Sequence, residues 1–274
     1  FVAMIDKANM PASTSIPNLL CYEDVIAEGS DAFVWPQLDE NHASSLCYTS
    51  GTTGNPKGVL YSHRSTILHS FAAALPDSLN CSASDCILPV VPMFHVNAWG
   101  LPYIACMVGA KIVFPGPALD GKSLYELFEH EGVTVSAGVP TVWQGLLGHV
   151  QSHKLQFSTM RRTVIGGAAA PPAMIQTFER DFKVNVLHAW GMTELSPLGT
   201  VCTMKFKHRN LSHEQQMAIQ AKQGRGIFGI DMKIVDADGK DAPWDGEATG
   251  DLMVRGHWVR DDYFRPEGGK PRHD

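Results

Sequence analysis

From Ala43 onward, short β-prone runs alternate with stretches of helical spacing. Ser45-Leu46-Cys47-Tyr48 and Val59-Leu60-Tyr61 read as strands flanking a loop, and His63 to Ala74 then places Ile67, Leu68, Phe71 and Ala74 at helical intervals until Pro76 stops it. Strands are predicted at Ile87 to Val91, Lys111 to Phe114, Val133 to Val135, Thr163 to Ile165 and Val184 to His188. Between them, helices are predicted at Ala98 to Val108, Ser123 to Glu131, Pro140 to Leu147 and Pro172 to Phe182. Repeated β-α-β units with short connections imply an α/β fold, a mostly parallel sheet with helices on both faces.

The ends of the chain depart from that rhythm. Residues 1–40 carry turn residues, a helix near Glu23 to Glu28 and no motif. After Thr200 comes one polar helix, Ser212 to Lys222, and then Met232 to Val235 and Leu252 to Val254, divided by Asp236-Ala237-Asp238-Gly239 and Trp244-Asp245-Gly246-Glu247. Those turn residues predict antiparallel strands, a small β subdomain near the C-terminal end. The expected division is an α/β core over residues 1–200, incomplete at its front, and the polar helix with the start of the β subdomain over 201–274.

Composition narrows the class. With 274 residues, 44% hydrophobic, the chain can bury a large core. A formal charge of -6 with no basic patch argues against nucleic acid as a partner. Cys21, Cys47, Cys81, Cys86, Cys106 and Cys202 lack C-x-x-C spacing and sit mostly among apolar residues, so reduced thiols and a cytoplasmic location are expected. No window approaches the ~18 apolar residues of a transmembrane segment; peripheral association at a membrane is the alternative to a free cytoplasmic protein. The chain opens at Phe1 and closes on a Gly/Pro/charge-rich run, which suggests a piece of a longer protein.

The chemistry concentrates in Tyr48 to Val59. Thr49, Ser50, Thr52 and Thr53 supply hydroxyls, Gly51 and Gly54 allow close approach, and Lys57 adds a cation, all in a turn between two strands. Such a loop suits phosphate. It is not the G-x-x-x-x-G-K-[ST] loop, because Pro56 stands where the second glycine belongs and Gly58 follows Lys57.

In open parallel sheets, ligands collect beyond the carboxyl ends of the strands. Three strand-to-helix loops there are loaded with candidate groups: Pro92-Met93-Phe94-His95-Val96-Asn97-Ala98-Trp99-Gly100, Gly166-Gly167-Ala168-Ala169-Ala170-Pro171-Pro172 and Ala189-Trp190-Gly191-Met192-Thr193-Glu194. With the phosphate loop they are expected to ring one cleft.

On T-S-G-T-T-G-N-P-K-G, P-M-F-H-V-N-A-W-G, G-G-A-A-A-P, W-G-M-T-E and G-D-L-M-V-R-G, spread over Ser45 to Arg265, the chain resembles the adenylate-forming (AMP-binding) acyl-CoA synthetases, most nearly the medium- and long-chain fatty acyl-CoA synthetases. The resemblance implies activation of a fatty acid by ATP and magnesium through an acyl-adenylate, release of pyrophosphate and transfer to coenzyme A. It implies that Thr49, Ser50, Gly51, Thr52, Thr53, Gly54 and Lys57 hold the β- and γ-phosphates, that Glu194 beside Thr193 is the Mg2+ ligand, and that His95 lies near the reacting carboxylate. Gly167, Ala168, Ala169, Trp190 and Gly191 would receive adenine, with tryptophan where the family usually has tyrosine. Trp99, with Val139, Pro140 and Thr141, would line the acyl tunnel.

Each assignment has a structural rival. Thr193 and Glu194 suit a helix start, His95 a satisfied core histidine, and Trp99 an ordinary core aromatic. His63, His69, His188 and His208 lack metal-ligand spacing and are read as structural or surface. The family's mobile C-terminal domain, with its adenylation lysine, is expected beyond Asp274, so residues 1–274 alone are expected to be a crippled catalyst. A homodimer is a further expectation from the resemblance. Two other readings stand beside the leading one: an adenylating CoA ligase for an aryl, short-chain or sulfur-containing acid, and a non-catalytic nucleotide- or acyl-binding module.

Overall fold

The computed structural model describes residues 1–3, 5–49, 55–260 and 263–264. The chain divides after Asp39 into two units. In the first, the two-residue strands β1 (Val2–Ala3) and β2 (Leu20–Cys21) pair in parallel. Cys21 leads into α1 (Tyr22–Ala27), whose first turn carries Glu23 and Asp24, the charge sign that suits a helix N-terminus.

In the second unit, β3 (Ala43–Tyr48) and β4 (Gly58–Ser62) form an antiparallel hairpin with Tyr48 opposite Gly58. Ser62 then starts α2 (His63–Ala74) with a reciprocal capping box to Ser65. The helix buries its apolar stripe only in part, with Leu68 and Ala74 packed against the core. Thr66, His69, Ser70 and Ala73 face inward, while Ile67 and Phe71 are exposed. The inward polar groups are satisfied: Thr66 Oγ1 lies 3.0 Å from Ser44 Oγ, and Ser70 Oγ donates to the Thr66 carbonyl at 2.7 Å.

The main sheet contains β5 (Cys86–Pro89), β6 (Lys111–Ile112), β7 (Val135–Gly138), β8 (Arg162–Ile165), β9 (Asn185–Gly191), β10 (Leu198–Val201) and β11 (Arg225–Gly226), in the order β11-β10-β9-β8-β7-β5-β6. The five strands from β6 to β9 are parallel; β10 and β11 add antiparallel at one edge. Around it lie α3 (Leu101–Val108), α4 (Gly121–Glu131), α5 (Pro140–Ser152), α6 (Pro172–Gln176) and α7 (His213–Gln220). Period-two alternation sends Leu88, Ile165 and Val186 to one face, against Phe128, Trp143 and Ile175 of α4, α5 and α6. Ile87, Val135, Val164 and Leu187 go to the other, against Ala73 of α2 and Leu101 and Ile104 of α3. Helices therefore cover both faces, as the pattern predicts. A separate antiparallel pair, β12 (Ile230–Val235) and β13 (Asp251–Gly256), is the expected small β element.

Several predicted elements change: the strand expected at Val133 to Val135 begins only at Val135 and runs to Gly138, and the one expected at Lys111 to Phe114 ends at Ile112. A π-helical turn, Thr177–Asp181, replaces the second half of the helix expected to Phe182. The strand predicted to end at His188 runs on through Trp190 and Gly191, which pair with Thr200 and Leu198 of β10. The helix predicted from Ala98 begins only at Leu101. Before it, Val96, Asn97, Ala98 and Trp99 take φ of 49°, 51°, 52° and 57°, one left-handed turn closed by Gly100 at 75°. Left-handed geometry costs L-residues about 1–2 kcal/mol each. Local contacts offset this: Val96 and Ala98 are buried, the Asn97 amide donates to Ser45 Oγ at 2.8 Å, and its oxygen accepts from Cys47 Sγ at 3.5 Å.

None of the six cysteines forms a disulfide, and all but Cys106 are buried. Among the described residues no helix is long and apolar enough to cross a membrane.

Candidate active site

Sheet register fixes which loops share an edge. Pro89 is opposite Ala137, Gly138 opposite Ile165 and Ile165 opposite His188, so the residues that follow β5, β7, β8 and β9 emerge side by side. Trp99 reaches into this edge. A Cβ built on Gly166 would lie 3.2 Å from Trp99 Cη2, and one on Gly167 would lie 3.0 Å from Val139 Cγ1 and 3.7 Å from Trp99 Cζ2. The predicted acyl-lining pair Trp99 and Val139 thus meets the predicted adenine loop. Pro140 follows Val139 as the first residue of α5, and Thr141 beyond it is exposed.

The phosphate-type loop closes on itself at its base. Thr49 N–H donates to the Lys57 carbonyl at 2.9 Å, and Lys57 N–H donates to Thr49 Oγ1 at 3.2 Å. Ser50, Gly51, Thr52, Thr53 and Gly54 lie outside the described residues. Lys57 Nζ stands 5.0 Å from the ring centroid of Tyr263, whose hydroxyl donates to Glu194 Oε1 at 2.6 Å. Phe264 N–H bonds the Gly58 carbonyl at 2.7 Å, and Arg260 N–H bonds the Glu194 carbonyl at 2.8 Å. From β4, the buried Tyr61 donates its hydroxyl to the Thr193 carbonyl at 2.6 Å. Burial, and after it the neighbouring Cys47 and Glu194, push the Tyr61 phenol well above its ordinary range, so it remains a donor. Lys57 and Glu194 are linked through Tyr263, and Thr193 is tied to β4 through Tyr61.

Tyr61, Tyr263 and Arg260 were not among the candidates. Tyr61 reads in the sequence as an ordinary core aromatic of a strand adjoining the loop, and nothing local gives its hydroxyl a partner. Tyr263 and Arg260 follow β13 in a stretch with no periodicity or motif, and only the tertiary fold returns them to the hairpin.

The remaining candidates are less connected. His95 is exposed, with no side-chain hydrogen bond among the described residues, which removes the reading as a satisfied core histidine. Gly167, Ala168 and Ala169 are exposed at the strand edge. Trp190 lies within the strand and its ring occupies the space above Gly199, where a built Cβ would meet Cζ3 at 2.6 Å. Behind that loop, His188 Nε2 accepts the Ala170 N–H at 3.1 Å and Nδ1 faces the Gln220 carbonyl at 3.2 Å. His188 and His69 are therefore structural, as read, and both are buried.

That burial gives a pH expectation. Desolvation lowers the His188 pKa from its ordinary 6.5 and takes His69 down to about 3. Both rings stay neutral in the fold while the unfolded chain binds protons below about pH 6.5. Stability is thus complete above that pH and falls as pH drops below it, by up to about 1.4 kcal/mol per pH unit for each histidine. Urea midpoints at pH 7.5 and 5.5 should differ accordingly, and equal midpoints would contradict it.

A magnesium ion, which the resemblance implies, needs few protein ligands. Among the described residues no group of three His, Cys, Asp or Glu side chains could hold a metal. Glu194 Oε1 accepts from Tyr263, and among the described residues its other carboxylate oxygen has no protein hydrogen bond. One carboxylate with substrate oxygens and water is an ordinary Mg2+ environment, so the residue present fits the ion.

Loops that emerge side by side beyond the carboxyl ends of a parallel sheet mark the ligand-binding edge of an open α/β domain. More particularly, the sequence matches the profile of the AMP-binding enzymes over residues 5–264, and the chain belongs to that family. It is 55% identical over 274 residues to a medium-chain-fatty-acid–CoA ligase of Ectopseudomonas oleovorans, covering 100% of this chain and 50% of that protein. It is 56% identical over 262 residues to a 3-methylmercaptopropionyl-CoA ligase of Ruegeria lacuscaerulensis, covering 96% and 49%. Among solved structures, O-succinylbenzoate coenzyme A synthetase of Bacillus subtilis, in complex with ATP and magnesium, superposes with a TM-score of 0.75 at 23% identity, over 91% of this chain and 49% of that one. At that identity the fold is what they share. The chain spans about half the length of the curated relatives it matches.

Proposed function

We propose that the full-length protein activates a fatty acid with ATP, forming an acyl-adenylate and pyrophosphate, and then transfers the acyl group to the thiol of coenzyme A. The observation that carries this reading is the linkage of Lys57, Thr193 and Glu194 through Tyr263 and Tyr61, with Trp99 and Tyr263 packed against the same buried cluster of Val59, Tyr61 and Val96. A carboxylate attacking an α-phosphate is an anion approaching an anion, so fixed donors and positive charge must meet the charge that builds on the leaving group. Lys57 and the hydroxyl-bearing loop supply them for the β- and γ-phosphates. Glu194 would hold Mg2+, which neutralises phosphate charge when bound. Tyr61 fixes the Thr193 carbonyl and thereby the backbone from which Glu194 projects. His95, solvent-accessible at the same edge, is free to turn toward the acid. Gly167, Ala168 and Ala169 leave an open edge for adenine, and Trp190 offers a flat face.

The 55% identity to the medium-chain ligase favours a fatty acid. A sulfur-containing short acid is the second reading, favoured by the 56% identity to the 3-methylmercaptopropionyl-CoA ligase. Acid-dependent ATP–pyrophosphate exchange by the full-length protein tests both. Exchange that strengthens as straight-chain acids lengthen supports the first; a maximum at 3-methylthiopropionate supports the second. No stimulation by any acid of the panel overturns the ligase reading.

A further inference from the structure

His69 lies on α2, outside every motif of the candidate site, with its ring almost wholly enclosed. Its Nε2 accepts the backbone N–H of Leu198 at 3.2 Å, so that nitrogen is bare and the ring hydrogen sits on Nδ1. Leu198 opens β10, immediately after the turn that carries Thr193 and Glu194. The Cε1–Nδ1 edge of the ring faces Gly100, where a built Cβ would come within 2.9 Å of Cε1 and 3.0 Å of Nδ1. Gly100 closes the left-handed turn that presents Trp99. One neutral imidazole is therefore wedged between the Trp99 turn and the strand that leaves the Glu194 turn, with the Trp258 ring edge-on at 6.0 Å as a third wall.

No protein group among the described residues bonds Nδ1. Next to the ring lies a cavity of about 10 Å3, lined by Tyr61, Thr66, Asn97, Tyr103 and Ser196 as well as His69 and Gly100. A volume of that order holds one water, provided two to four polar partners are at hand. The lining offers hydroxyls and an amide from the same segments that the site depends on. Tyr61 already donates to the Thr193 carbonyl, and Asn97 is the second residue of the left-handed turn.

We propose that His69 is a positioning residue, holding Leu198 through Nε2 and one buried water through Nδ1–H, and that this bridge keeps the Trp99 wall and the Glu194 turn in register. The inference rests on the acid-activating reading for its consequence, while the bridge itself is independent of it. Glutamine at this position can still present an acceptor to the Leu198 N–H; leucine leaves that buried donor unpaired, which destabilises its placement.

The test uses the full-length protein and its H69Q and H69L variants. In the wild type, amide hydrogen exchange should find Leu198 protected, and a crystal structure should hold one ordered water within hydrogen-bonding distance of Nδ1. In H69L, kcat for acid-dependent exchange should fall about tenfold or more while the KM for ATP stays within about threefold, and Leu198 should exchange about tenfold faster. H69Q should recover most of both losses. Equal losses in the two variants, an unprotected wild-type Leu198, or a dry cavity would overturn the proposal. A wild type that shows the protection and the water but no acid-dependent exchange would sustain the bridge and sink the reading of function instead. If H69L fails to fold, H69Q and the two wild-type measurements still decide the matter.

Discussion

Replacing Glu194 by alanine in the full-length protein is expected to lower acid-dependent ATP–pyrophosphate exchange by about 100-fold or more, the scale seen when a charge-stabilising group is removed from a reacting centre. The glutamine variant separates charge from packing. Glu194 Oε1 accepts the Tyr263 hydroxyl at 2.6 Å, and a glutamine oxygen can accept the same bond, so Glu194→Gln should keep the turn and the thermal midpoint near wild type. It should nevertheless lose most of the exchange, because a neutral amide is a poor magnesium ligand. Raising the Mg2+ concentration should restore part of the Glu194→Gln rate and none of the alanine loss. Undiminished exchange in either variant would remove Glu194 from the metal role.

The second large effect is expected at Gly191, where β9 hands over to the turn. A Cβ there would lie 2.1 Å from the Pro197 carbonyl oxygen and 2.8 Å from its carbon. Both are backbone atoms of the same turn, so no rotamer change relieves the clash. Met192 N–H donates to that same Pro197 oxygen at 3.0 Å, and this bond closes the turn carrying Thr193 and Glu194. Gly191→Ala should therefore open the turn, lowering stability by about 3 kcal/mol or more and removing exchange activity with it. A chemical denaturation midpoint within error of wild type would show that the turn accommodates the methyl. Since the preceding Trp190 pairs with Thr200 rather than lying in a loop, the disturbance would also reach the antiparallel edge of the main sheet.

The sheet was legible because its strands obey simple rules. β5, β7, β8 and β9 are short apolar runs bounded by turn residues and separated by helical spacing, and both faces are covered as such runs require. Where the reading failed, tertiary contacts overrode local pattern. In α2 the apolar Ile67 and Phe71 invite burial, yet the inward face is Thr66, His69, Ser70 and Ala73, whose polar groups find partners in β3, in the helix itself and at Leu198. Hydrophobic periodicity cannot see a face made acceptable by hydrogen bonds. Of Val96 to Trp99 only Asn97 is a residue type that readily takes positive φ, which does not announce a four-residue reversal; that reversal goes with Asn97 reaching the hairpin and Gly100 against His69.

For the site, the motif residues Lys57, Thr193 and Glu194 were legible because their chemistry is concentrated in recognisable turns. Tyr61 and Tyr263, which tie those turns together, were not. A tyrosine in a strand looks like core until its hydroxyl's partner is known, and that partner lies 132 residues away for Tyr61 and 69 for Tyr263.

The left-handed turn at Val96 to Trp99 inverts the usual arithmetic of substitution. Along most of the chain glycine loosens the backbone, and a residue with a side chain stiffens it. At Ala98, with φ of 52°, the mirror-image preference holds: glycine or a D-residue would sit there more comfortably than the natural L-alanine. The side chains of this turn thus sit against the backbone's own inclination, and the contacts they make, not the ease of the bend, hold the segment in this shape.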